Sequence, residues 1–414
     1  MSVRKRTWTN GKGVEKTAWV VDYVDTKGVR RLKTFAKKKD ADAFEATAKV
    51  EVREGVHVAD SDSATVEAAG KLWLASASAS GLERATIEDY GRHLRLHIAP
   101  YLGTARLASL SIAKIRSFED DLRKAGRSAA MVKKVLVSLS ALVADAQERG
   151  LVARNVVRDM KARRGSSERR QEQRQKGRLK VGLDIPTRME VKALLGSLSG
   201  RWRPLVLVAT FCGLRASELR GLRWSDVDLD KREIRVHQRA DRFNDIGRPK
   251  SLSGERTVPA PPMVINALKE WKLAYSRPVI GHNDDGKPIR EDAKPSHLIF
   301  ANGAGKVEQL NNILRRGLHP AWIEAGVTVD TGELDEEGKP ALAPKYTGLH
   351  CLRHWFASWC INRKEDGGLA LPPKVVQERM GHGTIAMTMD TYGHLFPRAD
   401  DAGEMEAAER AFLA

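Results

Sequence analysis

Cysteine is scarce in this chain and badly suited to cross-linking. The 414 residues hold three, Cys212, Cys351 and Cys360. An odd number set in apolar stretches excludes a disulfide framework and reads as reduced thiols in a cytoplasm, and no zinc spacing accompanies them. Long apolar runs are missing too. None approaches the ~18 residues of a bilayer-spanning helix, and the opening Met-Ser-Val-Arg-Lys-Arg-Thr-Trp lacks the apolar stretch of a secretion signal. The sequence thus predicts a protein with no membrane partner that is not exported. No Gly-x-x-x-x-Gly-Lys-Ser/Thr loop is present, so ATP is not implied, and no internal repeat or low-complexity tract stands out. Acidic residues are in deficit: 71 Lys and Arg against 53 Asp and Glu leave a net charge of +18 and a pI near 9.8, the electrostatic footprint of a nucleic-acid partner.

What is present divides into segments of different periodicity. Residues 16–36 alternate as strands do, with Trp19, Val21 and Tyr23 on one face and Thr26-Lys27-Gly28 as the turn. Ala41, Phe44, Ala48 and Val52 then recur at helical spacing, which predicts a helix packed across a small sheet. Residues 1–60 carry 14 Lys and Arg against nine Asp and Glu, with Arg30, Arg31 and Lys33 together in one strand. A sheet with outward basic residues can enter a major groove as a ribbon. From Thr65 to Val157 the pattern is helical, and its clearest helix follows Ser128, a good N-cap, with an apolar stripe from Val132 to Ala146. Four short amphipathic helices make a compact bundle.

Residues 161–182 hold nine Lys and Arg, Arg169 and Arg170 among them, against two acids, with almost nothing apolar. Such a stretch cannot build a core and reads as a linker. Beyond it, Thr187 and Glu190 have capping-box spacing ahead of Val191, Leu194 and Leu195. Leu205 to Phe211 is a buried apolar segment closed by Gly213, which sets Arg215 at a turn into a helix from Ser217 to Leu222. Strands at 233–237 and 256–258 flank a loop carrying Lys250, helices follow at 263–274 and 311–325, and the polar stretches 278–295 and 328–344 read as loops.

Reactive side chains are concentrated near the end. His350 and Arg353 stand in His-Cys-Leu-Arg-His, His382 in Arg-Met-Gly-His-Gly, and Tyr392 in Met-Asp-Thr-Tyr-Gly-His-Leu-Phe-Pro, with nine residues between His382 and Tyr392. Upstream lie Phe-Cys-Gly-Leu-Arg-Ala-Ser-Glu-Leu around Arg215 and Pro-Lys-Ser around Lys250. His350 and His354 are also spaced i, i+4, as in a zinc-binding helix, but Cys351 stands where that pattern has its glutamate, so no metal is expected. In this order, Arg, Lys, His-x-x-Arg, Gly-His and Tyr, the motifs resemble those of the tyrosine recombinases, the lambda-type phage integrases, strongly from Leu183 to Pro397.

The resemblance implies a mainly α protein with small β-sheets. Its parts would be an arm-type DNA-binding domain at 1–60 (a three-stranded sheet plus helix, with Arg30, Arg31 and Lys33 toward DNA), a helical core-binding domain at 63–160, and the basic linker at 161–182, where Arg169 and Arg170 would track phosphates. A mixed, mostly helical catalytic domain at 183–397 and a tail at 398–414 would follow. It implies a site-specific recombinase of a phage or other mobile element in a bacterial cytoplasm. Duplex DNA would be cut and rejoined through a 3′-phosphotyrosyl link, without cofactor or metal, by a homotetramer on attachment sites, with an excisionase or host DNA-bending protein as further partners.

Tyr392 would be the nucleophile, a phenol that needs its proton removed or a strong positive potential to attack near neutral pH. Arg215 and Arg353 would hold the non-bridging oxygens, because guanidinium forks match phosphate and stay charged. Lys250 would protonate the 5′ leaving oxygen, with Arg248 and Arg256 as alternatives. His350 would exchange a proton with Tyr392 or orient it, His382 would donate to the phosphate, and Glu218 would brace Arg215. Two rival functions share the chemistry or the fold: a type IB topoisomerase-like enzyme that relaxes DNA as a monomer, and a DNA-binding regulator that does not cut.

Overall fold

Alternating apolar and polar residues build the first sheet. The structure, a computed structural model, pairs β2 (Glu15–Val24) antiparallel with β1 (Ser2–Thr9) on one side and β3 (Arg30–Phe35) on the other. It describes residues 1–9, 15–160, 178–274, 279–290, 294–334, 338–397 and 401–414. Arg169, Arg170 and most of the basic stretch 161–182 lie outside the described residues. The chain divides into two compact units, Met1–Arg164 and Gly165–Ala414.

In the first unit, α1 (Lys38–Arg53) covers one face of the sheet, setting Ala41 and Phe44 against Trp19, Val21, Tyr23 and Phe35. The two-residue period of a strand then separates the cations that the sequence groups together. Lys33 stands opposite Val21 and Arg31 opposite Tyr23, so both fall on the helix side. There Arg31 bonds Asp25 at 2.8 Å and Asp62 at 2.7 Å, while Lys33 pairs with Asp60 at 2.7 Å and lies over the Phe44 ring. The expectation that all three point outward is therefore corrected: only Arg30 lies on the open face. By register Arg4, Arg6 and Lys16 share that face along the strands, and Arg30 pairs there with Asp22 at 2.6 Å.

The helical part of this unit starts with α2 (Val66–Ala79), whose first turn is closed by Thr65 accepting from the Ala68 amide. Next, α3 (Arg84–His93) runs on through a wider turn at Leu94–Ile98. The set is completed by α4 (Ile112–Lys124), capped by Ser111, and α5 (Ala129–Glu148), capped by Ser128. Their stripes bury Trp73, Leu94, Ile98, Phe118, Leu139 and Leu142 in one core.

The second unit opens with α6 (Arg188–Ser197), started by a full capping box between Thr187 and Glu190. Next comes α7 (Trp202–Cys212), apolar nearly all round and buried. It stops at Gly213, whose φ of +61° is left-handed, and the chain re-enters a helix as α8 (Ala216–Gly221) with Arg215 at its N-cap. A three-stranded sheet of β4 (Val227–Asp228), β5 (Glu233–Val236) and β8 (Arg256–Pro259), in the order β4-β5-β8, flanks the ribbon β6–β7 (Arg239–Ala240 and Ile246–Gly247). After α9 (Pro262–Ala274), a helical run from Leu310 ends in α10 (His319–Glu324). The last helices are α11 (His350–Ile361), α12 (Pro373–Met380), α13 (Ile385–Tyr392) and α14 (Asp401–Leu413).

Two stretches expected as loops are antiparallel hairpins instead: β9–β10 (Val279–His282 with Pro288–Arg290) and β11–β12 (Thr328–Leu334 with Pro340–Pro344). In the second, six of the seven β11 residues are exposed, so no buried face imposes the apolar alternation by which a strand is read.

Candidate active site

The site is assembled around the end of α7. Gly213 is needed there for two reasons: its backbone is left-handed, and a Cβ would lie 2.1 Å from the Phe356 ring. That close approach lets Arg353, 2 % exposed on α11, reach the Gly213 carbonyl with Nη1 and the Met380 carbonyl with Nη2. Two backbone carbonyls thus fix a buried guanidinium. Burial first, then the like charge of Arg215, pulls its pKa well down from the usual guanidinium range.

Arg215 begins α8 and is half-open. Its Nη1 donates to Glu218 at 2.7 Å, its Nη2 to the Gly381 carbonyl at 2.9 Å, and its backbone N–H to Glu218 at 2.8 Å. Glu218 also receives Arg256 on both oxygens, at 3.2 and 2.9 Å. Burial alone would raise the Glu218 carboxyl. The Arg256 charge and its hydrogen bonds, then Arg215, outweigh burial and bring it down to about 2. Arg256 is itself buried and donates to the Arg379 and Gly254 carbonyls. Held inside the cluster in this way, it is not placed as the alternative to Lys250 that the sequence left open. Lys250 stands exposed between β7 and the tight turn Leu252–Gly254.

Gly381 ends α12 in a left-handed conformation, and a Cβ there would lie 2.9 Å from both the Ser253 carbonyl and the Arg256 guanidinium. The turn after Lys250 therefore packs directly on the Gly-His motif. His382 follows, 8 % exposed, with Nδ1 bonded to Thr388 Oγ1 at 2.9 Å and its ring parallel to that of Tyr392, centroids 6.2 Å apart. Burial first, then Arg353 and Arg215, pushes His382 to about 4, so the ring is neutral near pH 7.

Tyr392 closes α13 at 2 % exposure. Burial raises its phenol to about 12 against the opposing pull of Arg353 and Arg215. Its hydroxyl lies 2.8 Å from Nδ1 of His354. The sequence assigned that contact to His350. His350 sits one turn earlier on α11, more exposed, its ring edge-on to His354 with centroids 4.4 Å apart. Burial and the charges of Arg353 and Arg215 lower His350 as well.

The structure thus brings Arg215, Glu218, Arg353, His382 and Tyr392 into one cluster and adds His354 and Thr388, to which the sequence assigns no role in it, and Arg256, which the sequence offers only as an alternative to Lys250. The i, i+4 spacing of His350 and His354 was the available signal, read only as a metal pattern. Among the described residues, no group of three or more His, Cys, Asp or Glu is arranged to hold a metal ion. Chemically, three guanidiniums around the Glu218 carboxylate leave a positive surplus beside a buried phenol, an arrangement fitted to an anion that the phenol could attack.

Comparison with known proteins agrees with this chemistry. A tyrosine recombinase XerC-like protein of Caldanaerobacter subterraneus subsp. tengcongensis is 24% identical over 412 residues, 94% of either chain. The transposase of transposon Tn916 from Enterococcus faecalis is 31% identical over 195 residues, 46% of this chain and 41% of that one. Among solved structures, the Tn1549 transposon integrase in complex with transposon right end DNA matches in fold with a TM-score of 0.57 at 19% identity, over 84% of this chain and all of that one. Residues 187–398, half of the chain, with the whole cluster and Lys250 inside them, match the family model described as the phage integrase family. The chain belongs to the phage integrase family, the tyrosine recombinases.

Proposed function

We propose that this chain is a site-specific DNA recombinase of a phage or other mobile element, which cuts and rejoins duplex DNA through a 3′-phosphotyrosyl intermediate at Tyr392. The observation that carries this reading is the convergence of Arg215 and Arg353 on adjacent carbonyls, those of Gly381 and Met380, close enough to the Tyr392 phenol for both charges to act on it. In the proposed reaction the Tyr392 oxygen attacks phosphorus, and the bond to the 5′ oxygen breaks. Arg215 and Arg353 neutralise the non-bridging oxygens, His382 donates a hydrogen bond to them, His350 lines the open side, and Lys250 gives the leaving oxygen its proton. Fixed donors aimed at developing charge are worth roughly 10²–10³ in rate each. Because a phosphodiester is exchanged for a phosphotyrosyl ester of similar energy, ATP is not required.

The same reading assigns the remaining segments. Residues 1–60 would bind arm sites through the open face with Arg4, Arg6, Lys16 and Arg30. Residues 63–160 would contact the core site, 161–182 would follow the phosphate backbone, and 183–397 would carry the chemistry. The second unit also has an apolar cavity of about 850 Å³ bordered by Met189, Leu195, Phe211 and Trp359. Trp355 lines it too, with a buried indole N–H that finds no acceptor. On α14, Met405, Phe412 and Leu413 are exposed. These features support docking of the 398–414 tail of one copy into this cavity of the next, as a tetramer on two sites would need. Excisionase and host bending proteins remain further proposed partners.

The test uses a duplex nicked near the crossover, so that the short released strand diffuses away. A recombinase is trapped as a covalent adduct and joins two such sites. A topoisomerase-like enzyme relaxes supercoiled DNA without pairing sites, and a non-cutting regulator leaves no adduct.

A further inference from the structure

We propose that His354 is the proton acceptor for Tyr392 in strand cleavage, a role that rests on the phosphotyrosyl reading above and that no motif in the sequence assigned. Its Nδ1 lies 2.8 Å from the Tyr392 hydroxyl, with the rings edge to face at 5.7 Å between centroids. Both groups are carried by well-defined helices, His354 at the fifth position of α11 and Tyr392 at the last of α13. The phenol oxygen can therefore keep its partner until it meets phosphorus. A base must lie within hydrogen-bond reach of the proton it removes, and among the described residues the His354 ring is the one at that distance.

Its surroundings set when it can act. On its own helix it faces His350 and Arg353, from α13 it faces Tyr392, and from the turn ahead of Pro186 it feels Asp184. Burial, then His350 and Arg353, holds it at about 4 in the free protein. It is thus neutral, and in the tautomer that carries the ring proton on Nε2 its Nδ1 is ready to accept. A phosphate bound by Arg215 and Arg353 offsets the repulsion from those cations, so the same ring becomes a stronger base when substrate is present. As Oη bonds to phosphorus, the phenol proton passes to Nδ1, the P–O5′ bond breaks, and the 5′ oxygen takes its proton from the acid on the leaving side. On rejoining, the 5′ hydroxyl returns its proton to that now-deprotonated acid as its oxygen bonds to phosphorus, the P–Oη bond breaks, and the His354 imidazolium gives its proton to the departing Tyr392 oxygen.

His354→Asn separates holding from deprotonation, because the Asn carbonyl oxygen falls near the position of Nδ1 and can accept the phenol hydrogen bond but cannot take the proton at these pH values. His354→Ala removes both. Single-turnover adduct formation on the nicked duplex, followed from pH 5 to 9 with DNA binding and melting temperature checked in parallel, reads the difference. The expected result is cleavage slowed roughly 10²–10⁴-fold in both variants, with binding retained and the wild-type fall in rate toward low pH abolished. Overturning results are an Asn variant that restores the wild-type rate, a slowed variant that keeps the low-pH fall, or more adduct than wild type. Tyr392→Phe runs alongside: an adduct from that variant would defeat the phosphotyrosyl reading itself, independently of His354.

Discussion

Glu218 Oε2 accepts from Arg256 Nη2 at 2.9 Å at a point where both side chains are almost fully buried. The carboxylate is shared with Arg215 at 2.7 Å, so one acidic residue orients two cations of the cluster. Removing it would leave buried guanidiniums without their counter-charge, a loss of roughly 3–5 kcal/mol. Glu218→Gln should therefore lower the melting temperature and cut DNA cleavage. The pH dependence has a definite sign. With the folded carboxyl at about 2, below its ordinary value of 4.5, its stabilisation is present above pH 4.5 and is lost as pH falls toward 2. The wild type should lose on the order of 3 kcal/mol over that window, and the Gln variant much less. Denaturant titrations of both proteins from pH 6 to pH 2.5 check this.

Gly213 and Gly326 make a matched pair. Both are left-handed, at φ +61° and +68°, but a Cβ at Gly213 would strike the Phe356 ring, whereas one at Gly326 meets nothing within 4 Å. Gly326→Ala should cost about 1–2 kcal/mol from backbone strain alone. Gly213→Ala should cost roughly 2–5 kcal/mol once overpacking is added, and it should also displace the carbonyl that holds Arg353. Equal melting temperatures for the two variants would contradict this.

Much of this scaffold can be read from the residues, for identifiable reasons. The Thr187–Glu190 box, the Ser128 cap and the stripe from Val132 to Ala146 are local signals, and the helices they mark form where local rules put them. The helical character follows from those periods, the fold class from the family resemblance, and the cluster is legible because Arg215, Arg353, His382 and Tyr392 stand in distinctive motifs. What escapes is non-local. The separation of Arg31 from Arg30 depends on which sheet face α1 covers. The burial of Arg256, on β8, depends on Glu218 arriving from α8. The His354 contact depends on where α13 packs, and an i, i+4 histidine pair says only that two rings share a face. The β11–β12 hairpin has no buried residue, so no apolar alternation reveals it.

Lys250 is exposed and lies outside the buried cluster, so its proposed role is tested by leaving-group chemistry. Lys250→Ala should slow cleavage of an ordinary 5′ oxygen ester by roughly 10²-fold or more, while a 5′-bridging phosphorothiolate, whose sulfur departs without a proton, should be cleaved at nearly the wild-type rate. Equal slowing on both substrates would mean that Lys250 is not the acid.

Truncation after Pro397 removes the exposed Met405, Phe412 and Leu413. Isolated helices of this length are marginal in water, so docking would have to supply the stability of α14. The shortened protein should bind a single core site nearly as well as the full chain but fail to form synapses and exchange strands. Native-gel assembly reads both, and normal tetrameric synapses would exclude docking of the tail in trans.

The most direct measurement is to trap the full-length protein on a nicked core-site duplex, digest the adduct and locate the modified residue by mass spectrometry, with Tyr392→Phe in parallel. The account predicts a 3′-phosphate ester on Tyr392, and a Phe variant that binds the same DNA but yields no adduct. A phosphoester on any other residue, or undiminished recombination by the Phe variant, would contradict it.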